Sequence, residues 1–297
     1  MQKIPHAALS PQSDTPVMHW PAAADPFAAA LEFGAGTVLA VLVATHGPAY
    51  RDPGAALAMA ADGRIAGAIS AGCIEADLLA QAAEVRHSGA ARLLRYGEGS
   101  PFFDLKLPCG GAIEVLLLRV DDPAPLRQVA ADRQARRPAR LHLSGQGGAG
   151  YVLSFRPGLR CIILGDGAEA GVFAGLLQGL AVDHLLIPGR ALPDLAGLAL
   201  DDRCAVLLFY HDHDREPALL LQALQTPAFY IGAQGSRATH ARRLQGLSQR
   251  GVPTEQLARL RGPIGMIRST RDPVRLAVSV LAEILDELPP DLSLAPA

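Results

Sequence analysis

The sequence predicts an α/β protein in two parts: an N-terminal α+β domain followed by a Rossmann-like domain on a doubly wound parallel sheet. Three observations lead there. At 297 residues the chain suits two cores, since domains cluster near roughly 100 to 150 residues. From Pro26 to Val120, short strand and helix patterns mix around a hairpin signal. After Leu159, near-continuous apolar runs alternate with amphipathic stretches, which means parallel strands covered on both faces.

The first part, residues 25–120, begins with a short helix over "PFAAALEF" and a strand over "TVLAVLVAT". "AALAMAADGRIAGAIS" reads as a hairpin turning at Ala61-Asp62-Gly63. A helix starting near Cys73 places Ile74, Leu78, Leu79 and Ala82 at helical spacing. Strands follow at "ARLLRY" and "GAIEVLLLRV". Residues 121–158 are dense in Pro, Gly and Arg, with strand candidates only at 140–144 and 150–155, and form the expected junction.

The second part, residues 159–290, alternates "RCIILG", a helix, "VDHLLI", a loop, "CAVLLFY", a helix, "AFYIGA", two helices, a short strand "IGM" and a last helix. That last helix has Asp272 as N-cap and Pro273 at its first position, with Val274, Ala277, Val278, Leu281 and Leu285 as its expected inward stripe.

Composition narrows the function. Residues are 49% hydrophobic and 19% charged, the balance of a folded, aliphatic protein. Lys plus Arg total 27 against 29 acids, so no global positive field is available for nucleic acid. No stretch approaches the roughly 20 apolar residues of a membrane span, and the N-terminus lacks the apolar core of a signal peptide; a cytoplasmic location is expected. Four cysteines without a CxxC pair suit neither a disulfide scaffold nor structural zinc. Cys161 and Cys204 open apolar strands and read as small buried hydrophobes.

Several motifs carry candidate chemistry. Gly165-Asp166-Gly167-Ala168-Glu169-Ala170 follows a strand and opens a helix, matching G-x-G-x-x-G/A; the turn either binds phosphate at the helix N-terminus or only joins strand to helix. The acid that would hold the ribose of NAD about 20 residues on is absent. Ile187-Pro188-Gly189-Arg190 stands there instead, which counts against NAD specifically, while Arg190 leaves room for an extra phosphate. A second turn brings Gly232 and Gly235 before Ser236 and Arg237, an anion-binding candidate in which Ser236 also suits an ordinary N-cap. His240, Arg242 and Arg243 read as a solvated helix face. His211 and His213 project to one side of a strand end, as metal ligands or as lining of a ligand crevice. Gly72 precedes Cys73 at a helix start, where the dipole favours a thiolate, and Cys109 is followed by two glycines.

Together, "GPAYRDPGA", "ADGRIAGAISAGCIEADL", "LPCGGAIEV", "ILGDGAEA", "HDH", "PAFYIGAQGSRATHARR", "PIG" and "AVSVLAEI" resemble the XdhC/CoxI family, accessory proteins that mature xanthine and carbon monoxide dehydrogenases. The resemblance runs from about Thr37 to Leu285. It implies an accessory factor rather than a turnover enzyme, one that binds the molybdenum cofactor (molybdopterin) as cargo. Such a factor helps the cofactor acquire its terminal sulfur from a cysteine desulfurase and delivers it to a xanthine dehydrogenase-type apoenzyme. It also implies working roles for Cys73, Glu75 and Cys109, both thiols being soft ligands able to contact molybdenum, and it leaves room for a homo-oligomer. This chain departs from the family pattern with Ala71-Gly72 where two glycines are common, with Ile187, and with "PIGMIRST". Two other classes stay open on the residues alone: an NAD(P)-dependent oxidoreductase using the Gly165 turn, and a thiol redox sensor.

Overall fold

The computed structural model describes residues 25–70, 72, 74–100, 110–145, 150–188, 193–210 and 215–297. It separates into two compact units. The first takes the chain up to Ala130 together with Arg140–Leu153 and Leu294–Ala297, and the second takes Ala131–Ala139 and Ser154–Ser293. Residues 121–158 are thus shared between the units.

In the first unit, Asp25 accepts from the amides of Phe27 and Ala28 and Pro26 occupies the first turn, which starts α1 (Pro26–Phe33). Then come β1 (Val38–His46), β2 (Ala56–Met59) and β3 (Ile65–Gly67). β2 and β3 pair antiparallel around a turn in which the Asp62 side chain takes the Arg64 amide. α2 (Glu75–Ser88) ends at Gly89, whose left-handed φ of 73° lets its N–H close on the Val85 carbonyl. β4 (Arg92–Gly97) and β5 (Ala112–Arg119) complete an antiparallel sheet of order β3-β2-β1-β5-β4. α2 inserts Ile74, Leu78, Ala82 and Val85 between Val38, Ala40, Leu42, Val115 and Leu117.

α3 (Ala124–Gln134) follows, a helix that the Pro and Arg density of this segment concealed. β6 (Ala139–Ser144), β7 (Gly150–Phe155) and the C-terminal β13 (Leu292–Pro296) form a three-stranded sheet of order β13-β7-β6.

The second unit holds β8 (Arg160–Leu164), α4 (Ala168–Gly179), β9 (Asp183–Ile187), β10 (Cys204–Leu208), α5 (Glu216–Leu224), β11 (Tyr230–Ala233), α6 (Arg237–Gln249), α7 (Thr254–Leu257), β12 (Leu260–Arg261) and α8 (Pro273–Glu287). The sheet is parallel throughout, in the order β12-β11-β10-β8-β9. Alternation along β8 sends Cys161 and Ile163 to a core with α4 and α8, and Ile162 and Leu164 to a core with α5 and α6. The sheet is therefore doubly wound, as the alternation of apolar runs predicts. Cys161 and Cys204 are buried free thiols; burial pushes them up to about 12 and about 11.

Two details correct the sequence reading. The short strand lies at Leu260–Arg261, and Ile264-Gly265-Met266 is a loop. On α8 the buried face is Leu276, Ala277, Val280, Leu281 and Ile284, whereas Val274, Val278 and Leu285 stand 59%, 51% and 52% exposed. The inward face also carries polar work: Ser279, 2% exposed, accepts the Ile267 amide, and Glu283 accepts from Gly265 and the Tyr230 hydroxyl. Polar residues on a packed face break the apolar period, so the neighbouring stripe looked like the core.

Candidate functional site

The turn before α2 is organised by a buried carboxylate. Glu75, 1% exposed, accepts the Ser70 amide at 2.7 Å and the Ser70 hydroxyl at 2.5 Å. Ser70 in turn accepts the amide of Gly72 at 3.2 Å, and the Ile74 amide lies 3.3 Å from Glu75 Oε2. Cys73 and Cys109 lie outside the described residues, but both chain neighbours of Cys73 are tied to this Ser70–Glu75 pair. Gly72 and Gly110 each adopt positive φ, 101° and 74°, are exposed, and have nothing among the described residues within 4 Å of the place a Cβ would take. Glu75 and Asp77 occupy the first turn of α2, so two carboxylates already meet the positive end of that helix. Asp77 also accepts from the buried Tyr96 hydroxyl at 2.6 Å. Burial first, and then Asp77, push the Tyr96 phenol well above its ordinary range.

At the carboxyl edge of the parallel sheet, the chain reverses direction of travel between β8 and β10, with β9 on one side and β10 on the other. Ligands of open α/β sheets bind at such a switch point. The Gly165 turn stands here. Gly165 has φ +150°, and a Cβ would clash with the Phe209 carbonyl, so this glycine has a packing reason of its own. Gly167 is the N-cap of α4, Ala168 its first residue, and neither supplies a side-chain cap. Instead Glu169 folds back, its Oε2 2.9 Å from where a Gly167 Cβ would lie. Ile187 ends β9 at the position of the missing acid. Arg190, His211 and His213 lie outside the described residues.

The second turn follows β11. Gly232 packs so closely on Tyr230 and Ile264 that a Cβ would sit 2.6 and 2.7 Å from their atoms. Ser236 caps α6 by accepting the Thr239 amide at 3.1 Å, the capping role weighed from sequence. Gly235, at φ +150°, rests on the Arg243 guanidinium. Arg243 is not on a solvated face: 9% exposed, it donates to the Gln234 carbonyl at 2.5 Å and pairs with the buried Glu216. His240 lies against Gly262, and burial followed by the Arg243 charge lowers its affinity for a proton. Arg237 is exposed at the mouth of a 910 Å³ cleft that also takes in Arg268 and Arg271, two residues with no signal in the sequence. Among the described residues no cluster of His, Cys, Asp and Glu is arranged to hold a metal ion, and no helix is long and apolar enough to cross a membrane.

A doubly wound Rossmann unit with two glycine turns at its carboxyl edge, preceded in the chain by an antiparallel α+β unit with a pinned glycine turn, defines a two-part Rossmann protein. The chain belongs to the XdhC and CoxI family: residues 30–97 match the XdhC and CoxI family and residues 161–284 match the XdhC Rossmann domain. It is 37% identical over 270 residues to the molybdenum cofactor insertion chaperone PaoD of Escherichia coli (strain K12), covering 86% of this chain and 84% of that one. It is 29% identical over 238 residues to the protein YqeB of the same organism, spanning 39% of that longer chain. A solved structure from Bacillus halodurans, described as a xanthine dehydrogenase, shares the fold with a TM-score of 0.71 at 20% identity, over 88% of this chain and 94% of that one.

Proposed function

We propose that this protein is a chaperone for the molybdenum cofactor: it holds the cofactor as cargo, keeps it available while a cysteine desulfurase supplies its terminal sulfur, and inserts it into a xanthine dehydrogenase-type apoenzyme. The support is the 37% identity to a molybdenum cofactor insertion chaperone over most of both chains. The observation in this molecule that carries the reading is the Ser70–Glu75 clamp. It ties down Gly72 and Ile74, the residues on either side of Cys73, and Gly72 is exposed, as a thiol offered to a bulky ligand requires. In this reading Cys73 and Cys109 are soft ligands for the cargo. Glu75 positions the first of them, and within the second unit the glycine turns at the carboxyl edge of the parallel sheet are the candidates for an anion. A cytoplasmic location and the domain limits 25–120 and 159–290 belong to the same proposal.

The test is to purify the full chain from cells with molybdopterin synthesis intact and to measure molybdenum and pterin. Both should copurify, and Cys73→Ala should fold normally yet carry less. Full molybdenum in Cys73→Ala would remove that thiol from the site. Absence of molybdenum and pterin from the parent chain would refute the chaperone reading.

A further inference from the structure

The two glycine turns at the carboxyl edge of the second unit differ in charge. The Gly165–Gly167 turn is acidic: Asp166 sits within it and the Glu169 carboxylate folds over the start of α4. A phosphate arriving there meets the like charge of Glu169. The Gln234–Arg237 turn has no acid in the first turn of α6, and among the described residues the 910 Å³ cleft beside it is lined by Arg237, Arg268 and Arg271 with no Asp or Glu. All three arginines are exposed, and among the described residues none of their guanidinium groups has a hydrogen-bond or ion-pair partner. Three like charges around one concavity repel each other, and an anion entering it removes that repulsion.

The cleft is built rather than incidental. The loop bearing Arg268 is anchored to α8 through the Gly265 amide on Glu283 and the Ile267 amide on Ser279 at 2.6 Å. The amides of Arg237 and Ala238, at the start of α6, have no acceptor within the helix. Among the described residues Gln234 Oε1, buried in the cleft wall, has no hydrogen-bond partner. The same cleft exposes apolar surface at Met266 and Ile267, 57% and 49% exposed. Its volume is far beyond what one inorganic anion fills.

We infer that this cleft, and not the Gly165 turn, is the anion subsite, and that it takes a phosphate ester of a heterocycle. The phosphate oxygens are held by Arg237, Arg268, Arg271 and the first amides of α6, and the organic body lies on Met266 and Ile267. As the place of the cargo's phosphate, the subsite rests on the chaperone reading; as an organophosphate site, it rests on the arginines alone.

The experiment titrates the full-length chain calorimetrically with inorganic phosphate, AMP and adenosine. AMP should bind more tightly than phosphate, adenosine should not bind measurably, and added salt should weaken AMP. Arg268→Ala and Arg271→Ala should each weaken AMP at least about tenfold, since each removes a charge-assisted contact. These side chains are exposed and have no partner among the described residues, so the variants should melt like the parent. Arg242→Ala, exposed on α6 outside the cleft, should bind AMP as the parent does. Failure of the parent to bind phosphate or AMP, undiminished AMP affinity in the Arg268→Ala/Arg271→Ala double variant, or adenosine binding as tight as AMP would each overturn the subsite. Molybdenum content is read separately: arginine-dependent AMP binding in a chain that never carries molybdenum would refute the chaperone role and leave the subsite standing.

Discussion

Replacing Glu75 by Gln tests whether this residue positions the Cys73 turn or acts as an acid or base. Three donors converge on its two oxygens: the Ser70 amide, the Ser70 hydroxyl and the Ile74 amide. Glutamine matches the shape but offers one oxygen and an NH₂ group, so at least one donor loses its acceptor. A hydrogen bond to a charged group contributes about 1.5–3 kcal/mol and a neutral one about 1, and a buried donor left unpaired costs about 1–3. The clamp should therefore weaken by about 2–4 kcal/mol. At about 1.4 kcal/mol per tenfold, hydrogen exchange at Ser70 and Ile74 should accelerate roughly 30- to 700-fold wherever local opening governs it. Amides in the middle of β1 should be unaffected. Mass-spectrometric exchange on the full chain reads both regions at once. Unchanged exchange at Ser70 and Ile74 would refute the clamp. If exchange were unchanged and cofactor insertion lost, Glu75 would be an acid or base in the transfer, the role its place beside Cys73 first suggests.

Other outcomes follow from single contacts. Arg203, 1% exposed, donates to the carbonyls of Pro157 and Pro289 and pairs with Asp291, so Arg203→Met should cost about 2–4 kcal/mol; a melting temperature within a degree of the parent would contradict this. Val280→Ser, at a fully buried site on α8, should cost about 2–4 kcal/mol, whereas Val278→Ser on the exposed stripe should stay within about 0.5. Equal effects in urea unfolding would reverse the assigned face. Cys161 and Cys204, raised by burial to about 12 and about 11, should resist iodoacetamide at pH 8 in the folded chain, and peptide mapping that found them labelled would argue against their burial. For Asp201, burial raises the carboxyl, but Arg136 and the Cys204 thiol outweigh that and hold it below its ordinary value. A depressed carboxylate stabilises the fold above its unfolded pKa and loses that contribution as pH falls through the folded one. Arg136→Gln should therefore flatten the acid side of the stability profile below about pH 4, and an unchanged profile would remove Arg136 as the cause.

How much of this was legible in the sequence depends on whether the signal was periodic. The parallel strands were readable because a strand covered on both faces is a continuous apolar run, as "CAVLLFY" and "RCIILG" are. The N-cap at Asp272 was readable because capping is local, and its carboxylate does take the Arg275 amide at 2.8 Å. The register of α8 was misread for a reason that leads to the cleft. Ser279 and Glu283 look like solvent-side residues in a sequence, yet they hold the loop amides of Ile267 and Gly265. Once they are assigned inward, "PIGMIRSTR", in which a short strand was expected, becomes a fixed loop wall carrying Arg268 and Arg271 toward the same concavity as Arg237. No spacing rule connects position 237 with positions 268 and 271, because the connection runs through α8. The two glycine turns thereby separate: one closes on the Glu169 carboxylate, and the other opens on three arginines that have no partner among the described residues. Charge around the turn, rather than the glycines that shape it, decides which of them is built to receive a phosphate.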